Sequence, residues 1–110
     1  MALSRYAREL AAEISAHDWS DAPYRVDRAG RRRDNDAKVR RDTIAQLSAG
    51  QTDALRDNVT LVTAQCFIYA DPNFTPVEYA AACGSKLSPG FIWAGLRKSI
   101  DGSYSEPGVI

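Results

Sequence analysis

Eight basic residues fall between Arg25 and Arg41 (Arg25, Arg28, Arg31, Arg32, Arg33, Lys38, Arg40, Arg41). They face three acids, Asp27, Asp34 and Asp36, which leaves a local charge of +5 in a chain of zero formal net charge. The rest of the chain is therefore net negative by the same amount, and no global field draws the protein to polyanions or membranes. Arginine's planar fork pairs with phosphate oxygens in bidentate fashion. Arg31, Arg32 and Arg33 follow Gly30 as an exposed loop, and Lys38, Arg40 and Arg41 lie on the element that follows. Such a set can grip a phosphate backbone or enter a minor groove. A solvated face neutralised by Asp27, Asp34, Asp36 and Asp42 uses the same residues, and an acidic protein partner would fit them equally well.

The second constellation is a helix pair near the C-terminus. Residues 75–83 read as a short helix, 84–88 as a turn and 89–100 as a longer helix, the order of a helix-turn-helix. Ala80 and Gly84 stand four apart, where that motif places a small residue and its turn glycine. The candidate reading helix opens on Pro89, Gly90, Phe91 and Ile92, which have no side chains to bond base edges. Its cations Arg97 and Lys98 come late and suit phosphate contact, with Lys86 in the preceding turn. Two antiparallel core helices joined by a capped loop account for the same residues.

Catalytic patterns are scarce. His17 is the only histidine and sits near an expected helix end, where it can serve the last carbonyls. Glu9 and Glu13 lie one turn apart and read as a solvated stripe with Arg5 and Arg8. No glycine-rich phosphate loop, nucleophile elbow or metal-ligand spacing is present, so the chain reads as a non-enzyme with no cofactor and no metal. Cys66 and Cys83 match no metal spacing and are expected as buried, reduced thiols. Trp19 should plug the core edge. Trp93 is expected in the core, and if exposed it would anchor an interface, together with Tyr104.

These residues need a frame, and the chain length of 110 residues suits one domain with its own core. Apolar and charged fractions of 45% and 25% are those of a globular protein. The expected class is all-α, a compact bundle of four to five helices over residues 1–102 with a flexible tail over 103–110. Helical spacing runs through Leu3, Tyr6, Ala7, Leu10, Ala11 and Ile14, which predicts a helix over 2–17 ended by the stretch before Pro23. Tyr24–Val26 allows a short extended piece. A second helix is expected from Asp34 or Asp36 to Leu47, with Val39, Thr43 and Ile44 inward and Gly50 as its stop. Thr52 can cap a third helix. Within it Val59 to Tyr69 is rich enough in β-branched and aromatic residues to leave helix and strand both open, although the length without a turn signal favours helix.

Thr75-Pro76-Val77-Glu78 has the form of a capping box, with Phe74 and Tyr79 placed as a hydrophobic staple and Gly84 as the stop. Ser88-Pro89 starts the last helix in the same way, ending at Gly102. The N-terminus lacks the apolar core of a signal peptide, and no apolar run reaches the length of a membrane span, so a cytoplasmic location is expected. Eleven arginines to three lysines with seventeen alanines is the composition of a GC-rich, actinobacterial or phage genome. The expected function is a small DNA-binding or regulatory protein whose partner is double-stranded DNA. Its nucleic-acid contacts would be Arg31, Arg32, Arg33, Lys38, Arg40, Arg41, Lys86, Arg97 and Lys98, with the C-terminal pair reading DNA or supporting a homodimer. The alternatives are a protein-binding adaptor or inhibitor of the kind phages encode, which would use Trp93 or Tyr104, and a structural piece of a larger assembly.

Overall fold

The computed structural model describes residues 3–24 and 46–107, and in these the chain is all-α: four α-helices and one 3-10 turn, with no strand among the described residues. The helix expected over 34–47 lies outside the described residues except at its end. There Leu47 is not helical and donates its amide to the Ser20 carbonyl at 2.6 Å. Tyr24 closes the 3-10 turn Ala22–Tyr24, and Val26 is outside the described residues.

Helix α1 (Arg5–Ala16) starts at Ser4, whose hydroxyl accepts the Ala7 amide at 3.2 Å. Its inward face is Ala7, Ala11 and Ile14, which are buried together with Leu3 just before the cap, while Tyr6 of the expected apolar stripe points to solvent. At its other end the Trp19 indole donates to the Ile14 carbonyl at 3.0 Å, satisfying one of the carbonyls that a helix end leaves without a partner.

Helix α2 (Ala49–Ala70) settles the open segment: Val59 to Tyr69 is helix. It begins earlier than Thr52. Ser48 and Gln51 form a reciprocal capping box, the Ser48 hydroxyl accepting the Gln51 amide (3.1 Å) and the Gln51 carbonyl the Ser48 amide (2.9 Å). Thr52 instead donates to the Ser48 carbonyl from within the first turn, and Gly50 lies inside the helix rather than ending one. At 22 residues the helix is about 33 Å long.

Helix α3 (Pro76–Ala82) carries the expected staple, with the Phe74 and Tyr79 rings 5.4 Å apart. The expected capping box is not made. Thr75 has ψ 89°, where Ser4, Ser48 and Ser88 have 155–164°, so its hydroxyl misses the third-position amide and donates to the Glu78 carboxylate at 3.1 Å instead. The helix ends in a Schellman motif. Ser85 donates to the Ala80 carbonyl (3.0 Å) and Gly84 to Ala81 (3.1 Å), with Gly84 at φ +83°, a conformation costly for any residue with a Cβ.

Helix α4 (Pro89–Ala94) is capped by Ser88 as expected but stops six residues before Ile100. The reason is tertiary. To continue, Arg97 would donate its amide back into the helix; the buried Gln65 side chain on α2 takes that amide at 2.6 Å. The chain then makes a hairpin-like return, with an isolated bridge between Lys98 and Tyr104 and Gly102 at φ +87° in the turn. Residues 103–107, expected as tail, come back along α2: Ser105 is buried and Tyr69 donates to Glu106 at 3.1 Å.

The core joins Leu3, Ala7, Ala11 and Ile14 of the first element to Ala64, Ile68, Tyr79, Cys83 and Leu96. Tyr79 is its centre, fully buried, 5.4 Å from the Phe67 ring, its hydroxyl 2.7 Å from that of Thr63. Burial pushes the Tyr79 phenol well above its ordinary value near 10.0, and burial likewise raises the Cys83 thiol above 9.0. Both groups hold their protons in the folded chain at a pH where the unfolded chain releases them. Their contribution is therefore intact below pH about 9 and is lost as the pH climbs past the unfolded values. Urea midpoints measured from pH 7 to 10.5 should be level up to about 9 and then fall, and Tyr79→Phe should flatten the part of the fall above 10. A midpoint unchanged to pH 10.5 would show that neither group titrates differently on folding.

Candidate protein-binding surface

Of the cations expected to contact nucleic acid, Arg31, Arg32, Arg33, Lys38, Arg40 and Arg41 lie outside the described residues. The other three are not gathered at the start of α4. Lys86 reaches across to α2 and bonds Asp53 at 3.0 Å, and Arg56 approaches the same carboxylate at 3.3 Å. The Lys86 ammonium, chiefly through its hydrogen bond, holds the Asp53 carboxyl below its usual range. Lys98 sits over the Tyr104 ring, 5.3 Å from its centre, within cation–π distance. Arg97 is exposed past the end of α4. As a DNA-reading helix α4 is short, about 9 Å from end to end, and its one buried side chain is Ile92.

Apolar groups occupy the exposed positions instead. Trp93, expected in the core, is 43% exposed; Phe91 is 61% exposed and Ile100, at the hairpin turn, fully so. All three fall within ten residues of chain. Ile92 takes the inward position between Phe91 and Trp93, and a helix cannot turn three successive side chains to one face. Ile100 is held out by a rigid turn: the Asp101 carboxylate accepts both the amide (3.0 Å) and the hydroxyl (2.6 Å) of Ser103, which holds that carboxyl below its usual range. Tyr104, the other expected interface residue, is half-buried under Lys98.

A second exposed apolar stripe lies on α2. Val62, Cys66 and Tyr69, spaced one turn apart, face solvent, and no charged residue occurs between Asn58 and Ala70. Cys66 is thus exposed, against the expectation of two buried thiols, while Cys83 is buried and both are free. Grooves flank the stripe. One is lined by Tyr6, Leu10, Thr63, Cys66, Phe67 and Ala70, and the other runs past Val62, Gln65, Tyr69, Arg97 and Pro107. The signal in the sequence was the uncharged run itself, which a helix with one solvated face would interrupt. An open apolar groove of about 300 Å³ also lies between Leu10, Ile14 and Val59, with the Trp19 and His17 rings 4.3 Å apart and tilted at 60° at its end. No group of three or more His, Cys, Asp or Glu side chains suited to a metal occurs among the described residues, and none of their helices is long and apolar enough to cross a membrane.

One buried side chain positions this surface. Gln65 accepts the Arg97 amide through its carbonyl and directs its amide nitrogen at the Ser105 carbonyl, 3.5 Å away, so both arms of the return hang on α2. Gln65→Leu keeps the volume but leaves the part-buried Arg97 amide without its acceptor, which costs about 1 kcal/mol. The variant should show a lower urea midpoint and fast exchange at the Arg97 amide, with α1 and α3 amides still protected; an Arg97 amide that stays protected would remove Gln65 from this role. No family model, no curated protein sequence and no solved structure matches the chain.

Proposed function

We propose that this chain is a non-enzymatic protein-binding domain, an adaptor or inhibitor that presents α4 and the hairpin after it to a partner protein. The observation that carries the reading is the exposure of Phe91, Trp93 and Ile100 within ten residues. Large exposed apolar groups cost solubility, and aromatic residues in such positions are enriched where proteins meet. Lys98 stands beside them, which suits a partner whose complementary surface is acidic. The pairing of Lys86 with Asp53 leaves that cation less suited to tracking a phosphate backbone.

The DNA-binding reading stands as the second, resting on the +5 charge of residues 25–41 in the sequence. One pair of measurements separates the two. The immobilised protein is challenged with native host lysate beside a Phe91→Ser/Trp93→Ser variant, and labelled random duplex DNA is titrated with the protein at several salt concentrations. A protein retained by the native chain and lost by the double variant, with negligible DNA affinity, supports the proposal. DNA binding with a log–log salt slope of roughly −4 to −5, together with no protein lost by the variant, replaces it with phosphate gripping by the arginine segment.

A further inference from the structure

We propose that the Asp101–Gly102 peptide is the bond at which this chain rearranges to isoaspartate, and that Ser103 is the residue that holds the reaction back. Asp101 is the only Asp or Asn in the sequence that is followed by glycine. Both residues are exposed in the turn of the C-terminal return, with Gly102 at φ +87°. Glycine is the neighbour this chemistry favours, because no Cβ stands over the amide nitrogen that must attack.

The reaction needs nothing but water. The Gly102 amide nitrogen attacks Cγ of the protonated Asp101 carboxyl. A nitrogen–Cγ bond forms, and the carboxyl hydroxyl leaves as water with the amide proton, which closes a five-membered succinimide. A second water then opens the ring. Attack at Cγ restores aspartate, whereas attack at the Asp101 main-chain carbonyl breaks its bond to nitrogen and leaves the chain running through Cγ. One water is lost and one regained, so the mass of the product equals that of the starting chain.

The folded turn opposes the first step at both reacting groups. Ser103 donates its hydroxyl (2.6 Å) and its amide (3.0 Å) to the same Asp101 oxygen, Oδ1. These bonds, the hydroxyl's first, hold the carboxyl below its usual range and so keep it ionised, the form in which Cγ is a poor electrophile. The Gly102 amide meanwhile donates to the Ser99 carbonyl at 3.0 Å, and the Ser99 amide to the Ser103 carbonyl at 2.7 Å, so the attacking nitrogen is engaged elsewhere. Rearrangement would add a backbone carbon between Asp101 and Gly102 and put these turn bonds out of register. Ile100, the adjacent residue, would then lose the frame that holds it out. The modification falls on the exposed apolar surface, but its chemistry does not depend on what that surface binds.

The test is incubation of the full chain at about pH 6, with proteolytic peptides sequenced at intervals by electron-transfer mass spectrometry. Isoaspartate should accumulate at position 101 through an intermediate lighter by one water, and faster in denaturing urea than in the folded chain. Ser103→Ala keeps the amide bond to Asp101 but loses the hydroxyl bond. With an unchanged melting curve, it should raise the folded rate at least about threefold and leave the rate in urea level. Asp101→Glu, whose ring would need six members, should give no product. Absence of isoaspartate at position 101 in urea overturns the site. Equal rates in the folded and denatured chain, or a folded rate indifferent to Ser103→Ala, overturn the role of Ser103.

Discussion

A helix of seven residues cannot hold itself together in water, so α3 exists only because the rest of the chain clamps it. It touches α1, α2 and α4, and Tyr79 is the wedge that makes those contacts one core. The ring tilts against both members of the stacked Phe67–Phe74 pair, and its hydroxyl needs Thr63 because a buried phenol without a partner would cost folding free energy. Close approach on all sides then demands small residues. Ala80 and Cys83 are buried beside Tyr79, and the left-handed Gly84 turns the chain sharply enough for α4 to pack back on α3. The aromatic centre thus dictates both the length of α3 and the direction in which the C-terminal segment leaves it.

That arrangement has a consequence for α2. From Asn58 to Ala70 this helix carries no charge, but α1, α3 and the C-terminal return cover only part of its circumference. Val62, Cys66 and Tyr69 are left facing water, and two apolar grooves run beside them. The same geometric limit acts on α4, where six residues supply one buried anchor, Ile92, and leave Phe91 and Trp93 outside. A chain that covers its long helix on one side and exposes aromatic groups on its shortest one has placed apolar material where a partner can bury it.

Most of the fold was legible because it is local. The spacing of Leu3, Ala7, Ala11 and Ile14, the staple of Phe74 and Tyr79, the stop at Gly84 and the Ser88 cap each depend on residues within a turn or two of one another. The failures are of two kinds. In one, two local signals competed: Ser48-x-x-Gln51 and Thr52 both offer a cap, and Thr75 had the right sequence but the wrong ψ. In the other, a distant group intervened. The end of α4 is set by Gln65, thirty-two residues from Arg97, through a hydrogen bond to the Arg97 amide that no periodicity encodes. Surface chemistry was harder to read for a related reason, since whether Cys66 or Trp93 is covered depends on which elements fall beside it. Lys86 had no acid near it in sequence, and its partner Asp53 lies thirty-three residues back.

Among the described residues several cations are held by neighbouring groups: Arg5 by Glu9, Arg8 by the Leu3 carbonyl, Arg56 and Lys86 by Asp53, Lys98 by the Tyr104 ring. Exposed pairs of this kind add little stability, but they neutralise the surface around the apolar groups and so reduce the charge that would be desolvated when a partner covers them. The α2 stripe and the α4 aromatics also draw on different residues, so covering one does not use up the other.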